Sequence, residues 1–223
     1  MLRQPTIESL NRLRLYGMAT ALQEQLQGQS YQDLSFEERL GLLIDREVQE
    51  QENRRLEFRL RMARLRQSAV IEDVDFRASR GLHRAAFLEL ATCQWIKNHQ
   101  NILLTGPTGV GKSYLACALA QKACREGYSV QYHRASKLLH ELATARGDGR
   151  YLRLLKALSR LDLIILDDWG LETLSKDQRH DLLEIFDADS ILDRVIHNAH
   201  ILNLKGESMR KKLSPTSKNK SGT

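Results

Sequence analysis

The stretch GPTGVGKS, from Gly106 to Ser113, constrains the fold of this chain more than any other feature. It follows the apolar run NILLT, which is typical of a buried strand, and precedes YLACALAQKAC, which has a helical composition. A glycine-rich turn between a strand and a helix matches the pattern G-x-x-x-x-G-K-[ST] of a Walker A phosphate loop. Its backbone N–H groups and the following helix terminus can surround a polyphosphate, because side chains are absent there. The alternative is a glycine-rich loop that binds nothing.

The loop predicts a nucleotide site with defined roles. Lys112 is expected to act in catalysis by reaching the β- and γ-phosphates, and Ser113 is expected to bind Mg²⁺. The residues expected to contact the nucleotide are Gly106, Pro107, Thr108, Gly109, Val110, Gly111, Lys112, Ser113 and Tyr114.

A second motif ends in two carboxylates. The run LDLIILDDWG is apolar enough for a strand that is buried on both faces of a parallel sheet, and it ends at Asp167 and Asp168. This is the form of a Walker B strand, in which the first carboxylate holds Mg²⁺ and the second orients or deprotonates the attacking water. We therefore expect Asp167 to be a metal ligand and Asp168 to be catalytic. Apolar strands that end in an acid also arise by chance, but here a Walker A motif precedes the strand.

Composition and charge indicate a soluble protein. The chain has 223 residues, and no apolar run approaches the roughly 20 residues of a membrane span. The N-terminus has no signal-peptide core, so a cytoplasmic location is expected. The net charge is +6, and the excess lies in the region 205–223, which is interpreted either as a phosphate-attracting tail or as a solvated, disordered end. Its basic residues are Lys205, Arg210, Lys211, Lys212, Lys218 and Lys220.

Cysteine and histidine positions do not predict a metal site. Cys93, Cys117 and Cys124 lack metal-ligand spacing and are interpreted as buried, reduced thiols. His197 and His200 are three residues apart, but no neighbouring acid or cysteine completes a ligand set, so a plain surface role is expected.

The region 1–67 is predicted to be all-helical. Ser35 and Glu38 have the spacing of a capping box at the start of a long amphipathic helix. Three of the arginines that follow, Arg55, Arg59 and Arg66, are predicted to share a helical face and to contact DNA phosphates, because guanidinium groups suit phosphate oxygens. The alternative is a solvated face with ion pairs such as Glu50 with Arg54.

The rest of the chain is predicted to be one nucleotide-binding domain. The region 68–80 is interpreted as a linker, 81–204 as a P-loop domain with a parallel sheet flanked by helices, and 205–223 as the tail. LHRAAFLELATCQWIKNH predicts a helix before the first strand, SVQYHRA predicts a second strand, and SKLLHELATAR and RYLRLLKALSRL predict amphipathic helices. A helix is expected from Lys176 through NAH, with HILNL as a strand candidate.

The stretches GPTGVGKSYLACALAQKACREGYSVQYHR, LDLIILDDWGLE and ILDRVIHNAHILNLKGESMRKK together resemble the IstB-type helper ATPases of insertion sequences. These are related to the DnaC-type helicase loaders of the AAA+ class. The resemblance implies an ATPase that uses ATP and Mg²⁺, assembles as a homo-oligomer on DNA and assists a transposase. It also implies that Arg194 is a catalytic finger for a neighbouring subunit, and that Arg210 acts similarly in cis. A surface arginine paired with Asp189 or Asp193 is the alternative for Arg194.

One departure from the family pattern concerns the sheet. The family implies a further strand after the Walker B helix, but no strand-like segment fits between Phe186 and Ser190. The chain therefore resembles an internally deleted copy whose sheet is incomplete, since the missing strand would lie between the Walker A and Walker B strands. Two functions stay open: a DNA-associated ATPase that helps transposition, and a remnant that binds nucleotide or DNA without hydrolysis. A P-loop kinase of small molecules is disfavoured by the paired acids and by the absence of a lid-like insertion.

Overall fold

The computed structural model describes residues 3–28, 31, 33–168, 174–185, 199–206, 208 and 209. The chain divides into two compact units, with the boundary between Phe58 and Arg59. The sequence predicted a later boundary, at the linker 68–80. The division comes earlier because the residues from Arg59 onward pack with the nucleotide domain, where the Arg59 Nε donates a hydrogen bond to the carbonyl oxygen of Cys124 (2.8 Å).

The first unit consists of helices, as the sequence predicts. Helix α1 spans Arg3–Arg12, α2 spans Tyr16–Gln27, and α3 begins in this unit and spans Phe36–Ala63. The predicted capping box is confirmed at the start of α3. The Glu38 backbone N–H donates to Ser35 Oγ (3.2 Å), and the Ser35 N–H donates to Glu38 Oε2 (2.7 Å).

Helices α2 and α3 make a close contact at Gly17. A Cβ atom on Gly17 would lie 2.7 Å from the carbonyl oxygen of Arg46, which is too close for any other residue type. The next residue, Met18, donates its backbone N–H to Glu47 Oε2 (3.1 Å), and Glu47 is buried. The contact thus joins a backbone donor of α2 to a carboxylate of α3.

The region 68–80 is part of the second unit. Ala69, Val74 and Arg80 are buried, and a 3₁₀ turn, Ile71–Asp73, packs against the helix that follows the phosphate loop. The helix predicted next is divided into α4 (Arg84–Leu90) and α5 (Gln94–Lys97), because Cys93 between them has a left-handed backbone (φ 61°).

The strands and helices of the nucleotide domain follow the predicted order. They are β1 (Asn101–Thr105), α6 (Lys112–Arg125), β2 (Val130–Arg134), α7 (Ala135–Gly147), α8 (Tyr151–Leu158), β3 (Leu163–Asp167), α9 (Lys176–Ile185) and β4 (Ala199–Asn203). Strand β4 confirms the HILNL candidate. It also shows that the helix predicted to extend through NAH is wrong at Ala199 and His200.

The strands form two parallel pairs. Strand β1 pairs with β4, with Asn101 opposite Ala199, and β2 pairs with β3, with Val130 opposite Leu163. Among the described strands, no hydrogen-bonded ladder joins one pair to the other. Helix α6 packs against β1, β2 and β3 and so connects the two pairs. The segment from Phe186 to Ser190, where the sequence analysis finds a strand missing, lies outside the described residues.

One hydrophobic cluster of the nucleotide domain lies between α7, α8 and β3. Leu138, Leu142 and Leu158 are buried in it, and Ile164 and Leu166 of β3 pack against them. The three cysteines are free and buried, as predicted, and burial raises the pKa of each thiol. Within the described residues, no helix is both long enough and apolar enough to cross a membrane. The predicted α/β P-loop domain, preceded by helices, is confirmed.

Candidate nucleotide site

The phosphate loop connects the end of β1 to the start of α6. Gly106 and Gly111 have φ values of 138° and 102°, in the region that favours glycine. A Cβ atom on Gly106 would also overlap the carbonyl oxygen of Leu204. Val110 is fully buried and anchors the loop to the domain. Glycine is therefore required for the backbone conformation of the loop, and at Gly106 also because the loop packs closely against Leu204.

Lys112 folds back over the loop. Its Nζ donates hydrogen bonds to the carbonyl oxygens of Gly106 (2.7 Å) and Pro107 (3.0 Å). These are neutral acceptors that phosphate oxygens can replace, since hydrogen bonds between ionised groups are stronger. The ammonium group is thus held at the loop, close to the N-terminus of α6.

The two sequence motifs meet at one carboxylate oxygen. Ser113 Oγ donates to Asp167 Oδ2 at 2.6 Å, which joins the start of α6 to the end of β3. The same oxygen accepts hydrogen bonds from the Tyr132 hydroxyl of β2 and from Arg66 Nη1 (3.0 Å). One oxygen therefore receives three side-chain donors from three separate parts of the domain.

These donors determine the charge state of the carboxylate. Burial raises the pKa of Asp167, but the hydrogen bonds from Ser113, Tyr132 and Arg66 outweigh it and lower the pKa below its ordinary value. Burial and the hydrogen bond to Asp167 raise the pKa of Tyr132, so its hydroxyl keeps the proton that it donates. The site at neutral pH consists of an ionised carboxylate with neutral and cationic donors.

Asp168 follows directly and faces two arginines. Its Oδ2 lies 3.8 Å from Arg66 Nη1 and 3.7 Å from Arg134 Nε. Its side chain is 38% exposed, against 14% for Asp167, and its φ is 58°. The second carboxylate therefore points to a more open and more basic environment than the first.

The three arginines predicted to contact DNA have different surroundings. Arg55 is exposed on α3, whereas Arg59 donates to the Cys124 carbonyl and Arg66 to Asp167. Arg66 also lies beyond Ala63, where α3 ends, so the predicted shared helical face is wrong for this residue. Arg194 and Arg210, the two arginines implied to act on phosphate, lie outside the described residues.

Several contacts of the site were not predicted from the sequence. Tyr132 belongs to no motif, and Arg66 was predicted to contact DNA, whereas both donate hydrogen bonds to Asp167. The Met209 backbone N–H donates to the Gly109 carbonyl (2.9 Å), and the Lys205 N–H donates to the Arg80 carbonyl (2.9 Å). The first residues of the predicted tail thus pack at the phosphate loop, although nothing in their composition indicated it.

The histidine interpretation is tested only in part. In β4, His200 Nε2 lies 3.2 Å from Gln100 Oε1, whereas His197 lies outside the described residues. In the described part of the chain, no group of three or more metal-binding side chains occurs.

Comparison with known proteins agrees with this geometry. The sequence profile of the IstB-like ATP-binding proteins matches residues 8–188. A protein of Sinorhizobium fredii, named as an insertion sequence ATP-binding protein, is 47% identical over 239 aligned positions, covering 95% of this chain and 98% of the relative.

Two Pseudomonas proteins named as ATP-binding proteins of insertion sequences are also similar. The protein of IS1162 from Pseudomonas fluorescens is 49% identical over 188 positions, covering 84% of this chain and 81% of the relative. The protein of IS21 from Pseudomonas aeruginosa is 30% identical over 231 positions, covering 91% of this chain and 87% of the relative. With the phosphate loop and the Ser113–Asp167 contact in place, this chain belongs to the family of IstB-like ATP-binding proteins.

Proposed function

We propose that this transposition-associated ATP-binding protein binds ATP with Mg²⁺, assembles as an oligomer on DNA and assists a transposase, in the cytoplasm. The observation that carries the nucleotide part is the 2.6 Å hydrogen bond between Ser113 Oγ and Asp167 Oδ2. It places the hydroxyl of the Walker A motif against the carboxylate of the Walker B strand. Lys112 Nζ is held at the same loop by its two carbonyl contacts.

The donor set fits Mg²⁺. Ser113 and Asp167 offer a hydroxyl oxygen and an ionised carboxylate oxygen, which are the ligands that Mg²⁺ takes beside phosphates and water. Bound Mg²⁺ would neutralise charge on the phosphate chain. The Arg66 guanidinium contacts the same carboxylate oxygen at 3.0 Å, and this pairing of the carboxylate with a cation supports the proposal.

ATP hydrolysis requires catalytic groups in addition to the residues that bind the nucleotide. In the proposal, Asp168 orients the attacking water and Arg194 of a neighbouring subunit stabilises the charge of the transition state, with Arg210 acting in cis. Positioning and electrostatic stabilisation account for nearly all of phosphoryl-transfer catalysis. Activity would therefore depend on assembly.

A second candidate is nucleotide binding without hydrolysis. The unjoined strand pairs support it, because a sensing residue on a strand between β1 and β3 would be absent. The alignment with the Sinorhizobium relative extends over 239 positions, more than the 223 residues of this chain, so the relative has residues without a counterpart here. The family match ends at residue 188, next to the proposed deletion.

The experiment that tests nucleotide binding is an ATP titration of the purified chain and its Lys112→Ala variant. Lys112→Ala should abolish binding, since the loop has no other mobile cation for the β- and γ-phosphates. Lys97→Ala, at an exposed lysine outside the loop, is the matched control and should bind as the parent does. Unchanged ATP affinity in Lys112→Ala would refute the Walker A assignment.

Turnover distinguishes the two candidates. We would compare ATP binding with steady-state ATP hydrolysis in the absence and presence of saturating DNA. A helper ATPase should turn over ATP faster with DNA, whereas a remnant should bind ATP and leave it intact. A transposase partner would then be sought by its effect on that turnover.

A further inference from the structure

A second positive charge lies beside the phosphate loop. Arg80 is only 4% exposed, and its Nη1 lies 2.8 Å from the place that a Cβ atom on Gly111 would occupy. Gly111 directly precedes Lys112, so the two cations flank the last turn of the loop. The guanidinium group is thus next to the backbone that is predicted to surround phosphate.

The charge of Arg80 is poorly compensated. Its Nη2 donates to the carbonyl oxygen of Asp75 (2.8 Å), but the buried Nε has no hydrogen-bond partner in the described part of the chain. Among the described residues, no carboxylate is within ion-pair distance of Arg80, since each ion pair found there uses another basic residue. Burial lowers the pKa of Arg80 and the nearby Asp75 carboxylate acts against it, yet an arginine stays protonated in proteins. A buried cation that no carboxylate contacts is costly.

The backbone around Arg80 holds it in this position. Its carbonyl oxygen accepts the Lys205 N–H (2.9 Å), and a Cβ atom on Gly81 would lie 3.3 Å from the Asn203 carbonyl oxygen. The backbone of this segment is therefore fixed against the residues that follow β4. An anion bound at Gly111 would supply the missing partner without any movement of the segment.

We propose that Arg80 is a second cation for the phosphate chain of a nucleoside di- or triphosphate, acting beside Lys112. This inference rests on the proposed nucleotide site and assigns it a residue outside both Walker motifs. Lys112 contacts the phosphates from the loop itself, whereas Arg80 contributes from the segment before α4. Ligand binding compensates the buried charge, so part of the stabilisation by nucleotide depends on Arg80.

The test compares Arg80→Met and Arg80→Lys with the parent chain. The matched control is Arg77→Met, at an exposed arginine three residues earlier. ATP, ADP and pyrophosphate are titrated, pyrophosphate in EDTA so that no metal contributes, and melting temperatures are measured with and without each ligand. Arg80→Met should melt at or above the parent temperature without ligand, and it should bind ATP and pyrophosphate at least tenfold more weakly. Arg80→Lys should retain more affinity, and Arg77→Met should behave as the parent does.

Two results would overturn the role of Arg80. One is parental affinity of Arg80→Met for ATP and pyrophosphate while Lys112→Ala fails to bind, which leaves the proposed function intact. The other is that Arg80→Met and Arg80→Lys lose melting temperature without ligand and lose ligand affinity to the same extent, which would indicate that Arg80 only supports the structure. If the parent chain binds no ATP, the proposed function fails. The pyrophosphate titration still tests Arg80 in that case. If pyrophosphate raises the melting temperature of the parent but not of Arg80→Met, the role of Arg80 is supported.

Discussion

At the scale of single residues, Asp167 connects the parts of the nucleotide domain. Ser113 contacts it from α6, Tyr132 from β2 and Arg66 from the segment after α3. The arginine is the one cation among these three donors. In the structure it contacts the carboxylate oxygen that the proposed Mg²⁺ would also use.

Replacing Arg66 should therefore strengthen the contribution of Mg²⁺ to ATP binding. We expect Arg66→Met to raise the ratio of ATP affinity in Mg²⁺ to that in EDTA by about fivefold, because a partly exposed ion pair contributes about 1 kcal/mol. Arg64→Met, at an exposed position two residues earlier, is the control. The measurement is an ATP titration at several Mg²⁺ concentrations. An unchanged ratio in Arg66→Met would show that the arginine and the metal do not compete.

At the scale of elements, two glycines within helices have opposite surroundings. Gly17 in α2 lies against the backbone of Arg46 and Glu47, whereas Gly41 in α3 has no atom within 4 Å of a would-be Cβ among the described residues. Glycine in a helix costs about 0.5–1 kcal/mol relative to alanine, unless packing requires it. Replacement by alanine should therefore change the stability in opposite directions at the two positions.

We expect Gly41→Ala to stabilise the first unit by about 0.5–1 kcal/mol. Gly17→Ala should destabilise it by about 1–3 kcal/mol, because the added methyl group forces α2 away from α3. Urea unfolding of the full chain, followed by helical circular dichroism, measures both changes. If Gly17→Ala were as stable as Gly41→Ala, the close contact of α2 and α3 would be wrong.

The arginines of α3 provide a test of DNA binding at the same scale. Neutralising Arg55, Arg59 and Arg66 together should weaken binding to DNA of any sequence and flatten its salt dependence, since phosphate contacts release counterions. Arg59 and Arg66 also have partners within the nucleotide domain, so Arg55→Ala is the cleaner single variant.

Arg55→Ala should reduce the salt slope by about 1. Arg54→Ala is its neighbour and control, because Arg54 is paired with Glu50 at 2.9 Å. Affinity is measured by fluorescence anisotropy with DNA duplexes at several salt concentrations. If Arg55→Ala and the triple variant both have the salt slope of the parent chain, these arginines do not contact DNA and the solvated-face interpretation is correct.

At the scale of the nucleotide domain, α6 contacts strands of both pairs among the described residues. The Ser113–Asp167 hydrogen bond joins β1, through the phosphate loop and α6, to the end of β3. In the proposed function, nucleotide binding uses this contact, whereas hydrolysis would also use a fixed water and a sensor. ATP hydrolysis should therefore depend more than ATP binding on whether the sheet has a strand between β1 and β3.

Inserting a family-like segment after Phe186 should raise ATP turnover by orders of magnitude. The reason is that the added strand would bring a polar sensor between β1 and β3 and hold the two carboxylates against the loop. DNA binding through the N-terminal helices should change little. Steady-state hydrolysis with saturating DNA compares the two chains, and brisk turnover by the parent chain would show that the deletion does not impair the site.

Features that depend on a few neighbouring residues could be predicted from the sequence. The phosphate loop, the capping box at Ser35, the order of the strands and helices, and the family follow from local patterns, because backbone conformation and amphipathic spacing are local properties. Two features depart from the helical pattern: Cys93 has a left-handed backbone, and Ala199 pairs with Asn101 in a sheet.

The contacts between side chains could not be predicted, because they join residues that are far apart in the chain. Asp167 receives Tyr132 from 35 residues away and Arg66 from 101 residues away, and Arg80 lies over Gly111 without belonging to a motif. Such contacts depend on how α6 and the strands pack together, and a pattern along the chain does not contain that distance information.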